Sequence, residues 1–334
     1  MNDIPIAVFI FKRSETLARI FEKIREYGPK TIYLIADGPR NEEEKKLVEK
    51  TRAIAEKLID WDCKVVKNYS DFNRGVYQNI GGGAKWVFER EEMAIFLEDD
   101  NLPESSFFNY CEELLKRFEH DNQIFWVCGT NYIENFIAEQ DYVFTKHMLP
   151  CGWASWSKKF ERFYDGDLIN YSPDMLNKLK ETYDSKALFE QDIDNFNKTK
   201  RFLDVNKERS SWDRQVAFSL RYYDLLGIAP TKNQIRNIGV DELSTHGGTS
   251  LKKTMTSRFC ELETSEISFP MKHPTSVSIN YEFEKETTKI ILNPLKDRVI
   301  MKVMKLIKPF VGIRQDESLV LFIRDKMNVI SKKK

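Results

Sequence analysis

Three consecutive acids, Glu98, Asp99 and Asp100, directly follow the apolar run MAIFL at 93–97. Like charges at that spacing repel and raise each other's affinity for protons. A hard divalent cation, Mn2+ or Mg2+, relieves the conflict, because carboxylate oxygens and substrate phosphates are its usual ligands. The bland reading is an acidic turn that favours the start of the following helix. Two other apolar runs end in chemistry. AVFIF is followed by Lys12-Arg13, and TIYLIA by Asp37-Gly38. Arg13 suits a base carbonyl or a diphosphate; it equally suits a surface helix entry. Asp37 suits a base N–H or a ribose hydroxyl, or plain turn chemistry. Asn73-Arg74-Gly75 precedes a helical stretch, where backbone N–H groups could approach a nucleotide. In SSWDRQ, Asp213 can take a proton from an attacking hydroxyl or cap the helix that follows. His246, between Thr245 and Gly247-Gly248, fits a metal or phosphate contact, or an ordinary surface histidine. Trp153 and Trp156 fit a platform for a sugar ring, or a buried aromatic pair. The run Gly81-Gly82-Gly83 lacks the Lys-Ser/Thr of a phosphate-binding loop and reads as close helix packing.

These residues need elements to position them. The first 130 residues alternate between strand-like runs, continuous and apolar at 6–11, 93–97 and 124–128 and shorter or more mixed at 31–36 and 63–67, and helical spacing at 14–27, 41–59, 76–89 and 103–118. Pro103 is expected in the first helical turn. Such alternation predicts an α/β fold with an open, mostly parallel sheet flanked by helices. Ligands of such sheets bind beyond the carboxyl ends of the strands, which is where the cations and acids fall. After 130 the periodicity fades and aromatics dominate, as in a half that completes a pocket.

The 334 residues balance 52 Lys or Arg against 52 Asp or Glu, which argues against a general nucleic-acid binder. The balance is uneven: residues 289–334 hold 12 basic and 4 acidic side chains. A basic tail is expected to meet something anionic or to form a solvated helical face. Five scattered cysteines form no metal or dithiol motif and fit a reducing compartment. The N-terminus reads as a core strand rather than a leader, and no apolar stretch is long enough to span a bilayer.

The run AIFLEDDNLPESSFFNY resembles the metal-binding segment of GT-A glycosyltransferases, in the branch of N-acetylglucosaminyltransferase I and its bacterial relatives. VFIFKR and IADGPR resemble its nucleotide-binding strand ends, LPCGWASW its acceptor-side Gly-Trp segment, SSWDRQ its catalytic-base segment, and NIGVDELSTHGG its closing segment. The five motifs follow in order over about residues 4–249. The resemblance implies a GT-A (Rossmann-like) catalytic domain over 1–250, with a nucleotide half at 1–130 and an acceptor half at 131–250. Asp100 would be the main ligand of Mn2+ or Mg2+, with His246 joining it. Glu98 and Asp99 would contact ribose or donor sugar, Arg13 and Asp37 the base, and Asp213 would be the general base.

The expected activity is metal-dependent, inverting transfer of a sugar from a nucleotide-diphosphate donor, a UDP-sugar foremost, to a hydroxyl of a glycan or lipid-linked glycan. The alternatives are a sugar-phosphate nucleotidyltransferase and a non-catalytic carbohydrate-binding or scaffold module. FKRSETLAR lacks the glycine-rich phosphate loop that the nucleotidyltransferase reading requires. The expected location is the cytoplasm, at the inner membrane face if basic amphipathic helices in 251–334 meet lipid.

Overall fold

A computed structural model describes residues 3–205, 210–240, 251 and 254–312. The first half follows the sequence periodicity. Ile6–Ile10 (β1) is buried along its whole length. Ser14–Tyr27 (α1) buries Leu17, Ile20, Phe21 and Ile24, and Gly28 ends it at φ +66° with its N–H on the Ile24 carbonyl. Thr31–Ala36 (β2) leads to Glu42–Leu58 (α2), whose start is capped by Asn41 accepting from the Glu44 N–H at 2.9 Å. Lys64–Tyr69 (β3) is followed by a π-helical turn at Tyr77–Gly82 and then Gly83–Phe88 (α3). A Cβ on Gly81 would lie 2.5 Å from the Tyr164 hydroxyl, and one on Gly83 2.9 Å from the Phe9 ring. These two glycines therefore serve close packing, as expected.

Met93–Glu98 (β4) is followed by Asn101–Pro103 (β5), Ser106–Arg117 (α4) and Ile124–Cys128 (β6). Pro103 thus closes a short strand instead of opening the helix, because Asn101–Pro103 is drawn into pairing with a distant segment. The second half contains Tyr142–Thr145 (β7), Trp153–Trp156 (β8), Ser157–Phe163 (α5), Leu176–Glu181 (α6), Lys186–Val205 (α7), Asp213–Tyr222 (α8), Leu226–Pro230 (β9) and Ile235–Asn237 (β10). Thr254–Ser257 (α9), Tyr281–Ile291 (α10) and Leu295–Ile307 (α11) follow.

Eight strands form one mixed, mostly parallel sheet in the order β3-β2-β1-β4-β8-β6-β9-β7. β1 runs parallel to both β2 and β4, whereas β8 runs antiparallel to β4 and β6. The chain winds outward from β1 through β2 to β3, then returns to place β4 on the other side of β1. That reversal opens a crevice at the carboxyl ends of β1 and β4. A separate two-stranded ribbon pairs β5 with β10.

The compact unit runs Met1–Lys289, beyond the boundary of 250 expected from sequence. Ile267 and Met271 are buried in the main core. Glu284 of α10 is clamped from several sides. It accepts from the Thr145 hydroxyl (2.5 Å) and the Lys146 N–H (2.6 Å), and it lies 3.4 Å from His147 and 3.6 Å from Arg221. Burial pushes its pKa up, but His147 and Arg221 together with the Thr145 and Lys146 hydrogen bonds more than offset this, so the net direction is down. Ile290–Lys334 forms a second unit.

A carboxylate with a lowered pKa stabilises the fold above the ordinary glutamate range and loses that stabilisation as pH falls through its folded value. Glu284→Gln should therefore cost about 2 kcal/mol near neutrality. Thermal unfolding across acidic to neutral pH should show the difference from wild type closing as the medium turns acid.

Candidate functional site

A cavity of about 700 Å3 opens at the carboxyl ends of β1, β2 and β4. Arg13, Asp37, Asn73, Glu98, Asp99, Asp100 and Asp213, all singled out from sequence, line it. The parallel pairing of β1 with β2 and β4 collects Arg13, Asp37 and the three acids, which stand at those strand ends or within three residues of them.

The acids end a buried strand, so their charge must be balanced. Burial first, and then Asp100 and Asp99, push Glu98 above the ordinary carboxylate range. Asp99 is pushed up to about 7 by burial and Asp100, against the pull of Arg13. Arg13 supplies the balancing charge. Its Nη1 donates to Asp100 Oδ2 at 2.7 Å and lies 3.6 Å from Asp99 Oδ1, while Nη2 donates to the Gly239 carbonyl at 3.2 Å. Asp99 also accepts from the Phe11 N–H at 2.9 Å, and Asp100 from Asn101 Nδ2 at 2.7 Å.

Gly239 leaves room beside these acids. A Cβ there would sit 2.4 Å from Asp100 Oδ2. Among the described residues no three His, Cys, Asp or Glu side chains converge on one metal position. A divalent ion at this strand end would be held by Asp100, with Asp99 beside it, and would need substrate phosphates to complete its ligands. His246, the other expected ligand, lies outside the described residues.

Asp37 has a different role from the expected one. Its Oδ1 accepts from the N–H groups of Gly38 (2.8 Å) and Arg74 (2.7 Å). Its Oδ2 accepts from Gly75 N–H and Asn73 Nδ2, both at 3.1 Å. Burial raises its pKa while these backbone groups pull it down. Four donors saturate a carboxylate, so Asp37 anchors the loop and has no lone pair left for a base. The same bonds occupy the Arg74 and Gly75 N–H groups that the sequence offered to a nucleotide. Asn73 likewise spends its amide on Asp37 and the Gly38 carbonyl.

Arg74 instead fixes a residue that sequence reasoning missed. Its Nη2 donates to Asn79 Oδ1 at 2.7 Å. Asn79 lies in the π-helical turn and lines the cavity. With Oδ1 engaged by a cation, what the amide keeps for a ligand is its Nδ2 donor. Asn79 follows Asn73 by six residues with no motif to mark it.

Asp213 opens α8 and lies close enough to Glu98 to raise its pKa. It is the first helical residue rather than the cap, a position where the helix dipole favours an acid. Trp212, just before it, also lines the cavity. Trp153 and Trp156 do not reach it, and the sugar-platform expectation fails for both as they stand. They are 1% and 3% exposed. Trp153 stacks between Phe96 (3.9 Å) and Trp126 (4.2 Å), and Trp156 donates to the Leu115 carbonyl at 2.9 Å. Three residues apart in one strand, they point to opposite faces of the sheet, and both faces are covered, so the indoles become core. What the Gly-Trp segment gives the cavity is Pro150 and Cys151.

No protein-family model matches the sequence, and no curated protein matches it. Solved structures with some similarity include a UDP-glucose pyrophosphorylase complexed with UDP-glucose, at 10% identity and TM-score 0.35, covering 70% of this chain and 93% of that one. Another is a 4-diphosphocytidyl-2C-methyl-D-erythritol synthase from Anaerococcus prevotii, at 13% identity and TM-score 0.33, covering 56% and 87%. A third is HddC from Yersinia pseudotuberculosis, at 12% identity and TM-score 0.30, covering 49% and 81%. Likeness of this degree concerns the α/β architecture and assigns no activity.

If Asp37 is an anchor, Asp37→Ala should lower stability by about 3 kcal/mol, since it orphans several buried N–H groups. Denaturant unfolding without any ligand checks this. An unchanged midpoint would return Asp37 to a ligand-binding role.

Proposed function

We propose that this chain is a divalent-metal-dependent glycosyltransferase that takes its sugar from a nucleotide-diphosphate donor, a UDP-sugar foremost, and passes it to a hydroxyl acceptor. The observation that carries this reading is that Asp213 lines the same cavity as the Glu98–Asp100 strand end and lies near enough to Glu98 to raise its pKa. The five motif resemblances to GT-A glycosyltransferases support it.

The chain's residues divide the work. Arg13, at present on Asp100 and Asp99, can turn part of its five-donor fork to a diphosphate. Asn79 Nδ2 offers a donor to a base carbonyl, such as those of uracil. A bound Mn2+ or Mg2+ would neutralise charge developing on the leaving diphosphate. Asp213 accepts the proton of the acceptor hydroxyl as its oxygen bonds to the anomeric carbon and the bond to the diphosphate breaks. A single base on the wall opposite the leaving group suits inversion. Trp212 beside it gives the acceptor an apolar wall.

The second reading is nucleotidyl transfer to a sugar phosphate, the chemistry that names the pyrophosphorylase and synthase above. Its nucleophile is a phosphate oxygen, already ionised at neutral pH, so it needs no proton acceptor. It needs cations for a triphosphate and a sugar phosphate together. Here the loop after β1 has no glycine with which to wrap a triphosphate. That feature favours glycosyl transfer.

Calorimetry with UDP should show binding that requires Mn2+, abolished in Asp100→Ala. Asp213→Asn should keep that binding and lose transfer by roughly a hundredfold or more. Pyrophosphate release from UTP and a sugar 1-phosphate would establish the second reading instead; metal-independent or absent UDP binding would favour the non-catalytic module. Asn79→Asp replaces the amide donor with an acceptor. It should weaken UDP binding at least roughly tenfold and reduce the preference over CDP, whose base presents an amino group.

A further inference from the structure

We infer that α11 is a docking helix for an anionic lipid surface. None of its 13 residues is buried. Leu295, Val299, Val303 and Leu306 recur at spacings of four, four and three, which places them along one face. Leu295 and Leu306 are 69% and 71% exposed, and Phe310 just beyond the helix is 90% exposed. Ile300 and Ile307 widen the same face and are also exposed. Arg298, Lys302 and Lys305 recur at spacings of four and three on another face, with Asp297 as the lone acid of the helix.

Three occupants suit an apolar helix face: a bilayer, a second copy of the helix, or another protein. Charge decides among them. A second copy would bring a stripe of cations against a like stripe, in a segment that carries 12 basic and 4 acidic side chains over 289–334. An anionic headgroup layer instead pairs with the cations while the leucines and valines enter the acyl boundary. Crossing is excluded by length. Thirteen residues rise about 20 Å, short of the ~30 Å hydrocarbon core, and no described helix is long and apolar enough to cross a membrane. The helix therefore lies in the interface.

The test uses the full-length chain and vesicles of phosphatidylcholine, with and without phosphatidylglycerol, in a sedimentation assay. Wild type should pellet with the anionic vesicles, remain in solution with the neutral ones, and be released by high salt. Lys302→Glu with Lys305→Glu should reduce partitioning by roughly 25-fold or more. Val303→Asp with Leu306→Asp should abolish it. Circular dichroism and an unchanged melting temperature establish that each variant is folded. Failure of wild type to bind anionic vesicles overturns the inference, as does unaltered binding by the charge-reversed variant. A concentration-dependent dimer that Val303→Asp with Leu306→Asp dissolves also overturns it, in favour of a second copy.

Discussion

Everything at the cavity depends on how three adjacent acids are accommodated at the end of a buried strand. Hydrophobic pairing carries β4 into the middle of the sheet, and its last residues arrive with carboxylates that burial disfavours. Arg13 balances them from the end of the neighbouring parallel strand, with the Phe11 N–H and the Asn101 amide taking further lone pairs. A guanidinium pairs with carboxylates as a planar fork. The same fork suits a diphosphate, so the residue that balances the acids is also equipped to meet a substrate.

The remaining architecture holds this arrangement in register. Asn101 is a small hub: its Oδ1 accepts from the Glu98 N–H (3.3 Å) and the Gly152 N–H (2.9 Å), while its Nδ2 reaches Asp100. One side chain thereby ties the acid turn to the loop that enters β8. Behind the cavity, Phe96, Trp126, Trp153 and Trp212 form a contiguous aromatic group, with Trp153 and Trp212 centroids 5.6 Å apart. The wall that carries Asp213 is thus backed by rigid rings. Flat rings bury much area with few rotatable bonds, which keeps the acid's position well defined.

Much of this was legible in the amino-acid order because the first half obeys simple periodicities. Continuous apolar runs gave the parallel strands, and their carboxyl ends gave the crevice and its charged lining. What the residues alone did not reveal was how polar groups spend their hydrogen bonds. Asp37 looks available in sequence, yet the folding of 73–75 against it adds three donors to the neighbouring Gly38 N–H. Trp153 and Trp156 look like platforms, yet strand pairing with β4 turns both into core. Asn79 carries no signal at all, since its orientation comes from Arg74 and a π-helical turn. The end of the first unit was hidden for a related reason. Residues beyond 250 lack clear periodicity, and their attachment runs through Ile267, Met271 and the ion cluster at Glu284.

The β5–β10 ribbon reaches furthest in its implications. Asn101 pairs with Asn237 and Pro103 with Ile235, and the Ile238 N–H donates to the Asp100 carbonyl at 2.9 Å. The segment leading toward 241–250 is therefore stitched, rung by rung, to the residues that follow the three acids. Gly239 ends that stitch, and a Cβ there would lie 2.4 Å from Asp100 Oδ2. Any larger residue at 239 would press on the Asp100 carboxylate and on the Arg13 fork that holds both Asp100 and the Gly239 carbonyl.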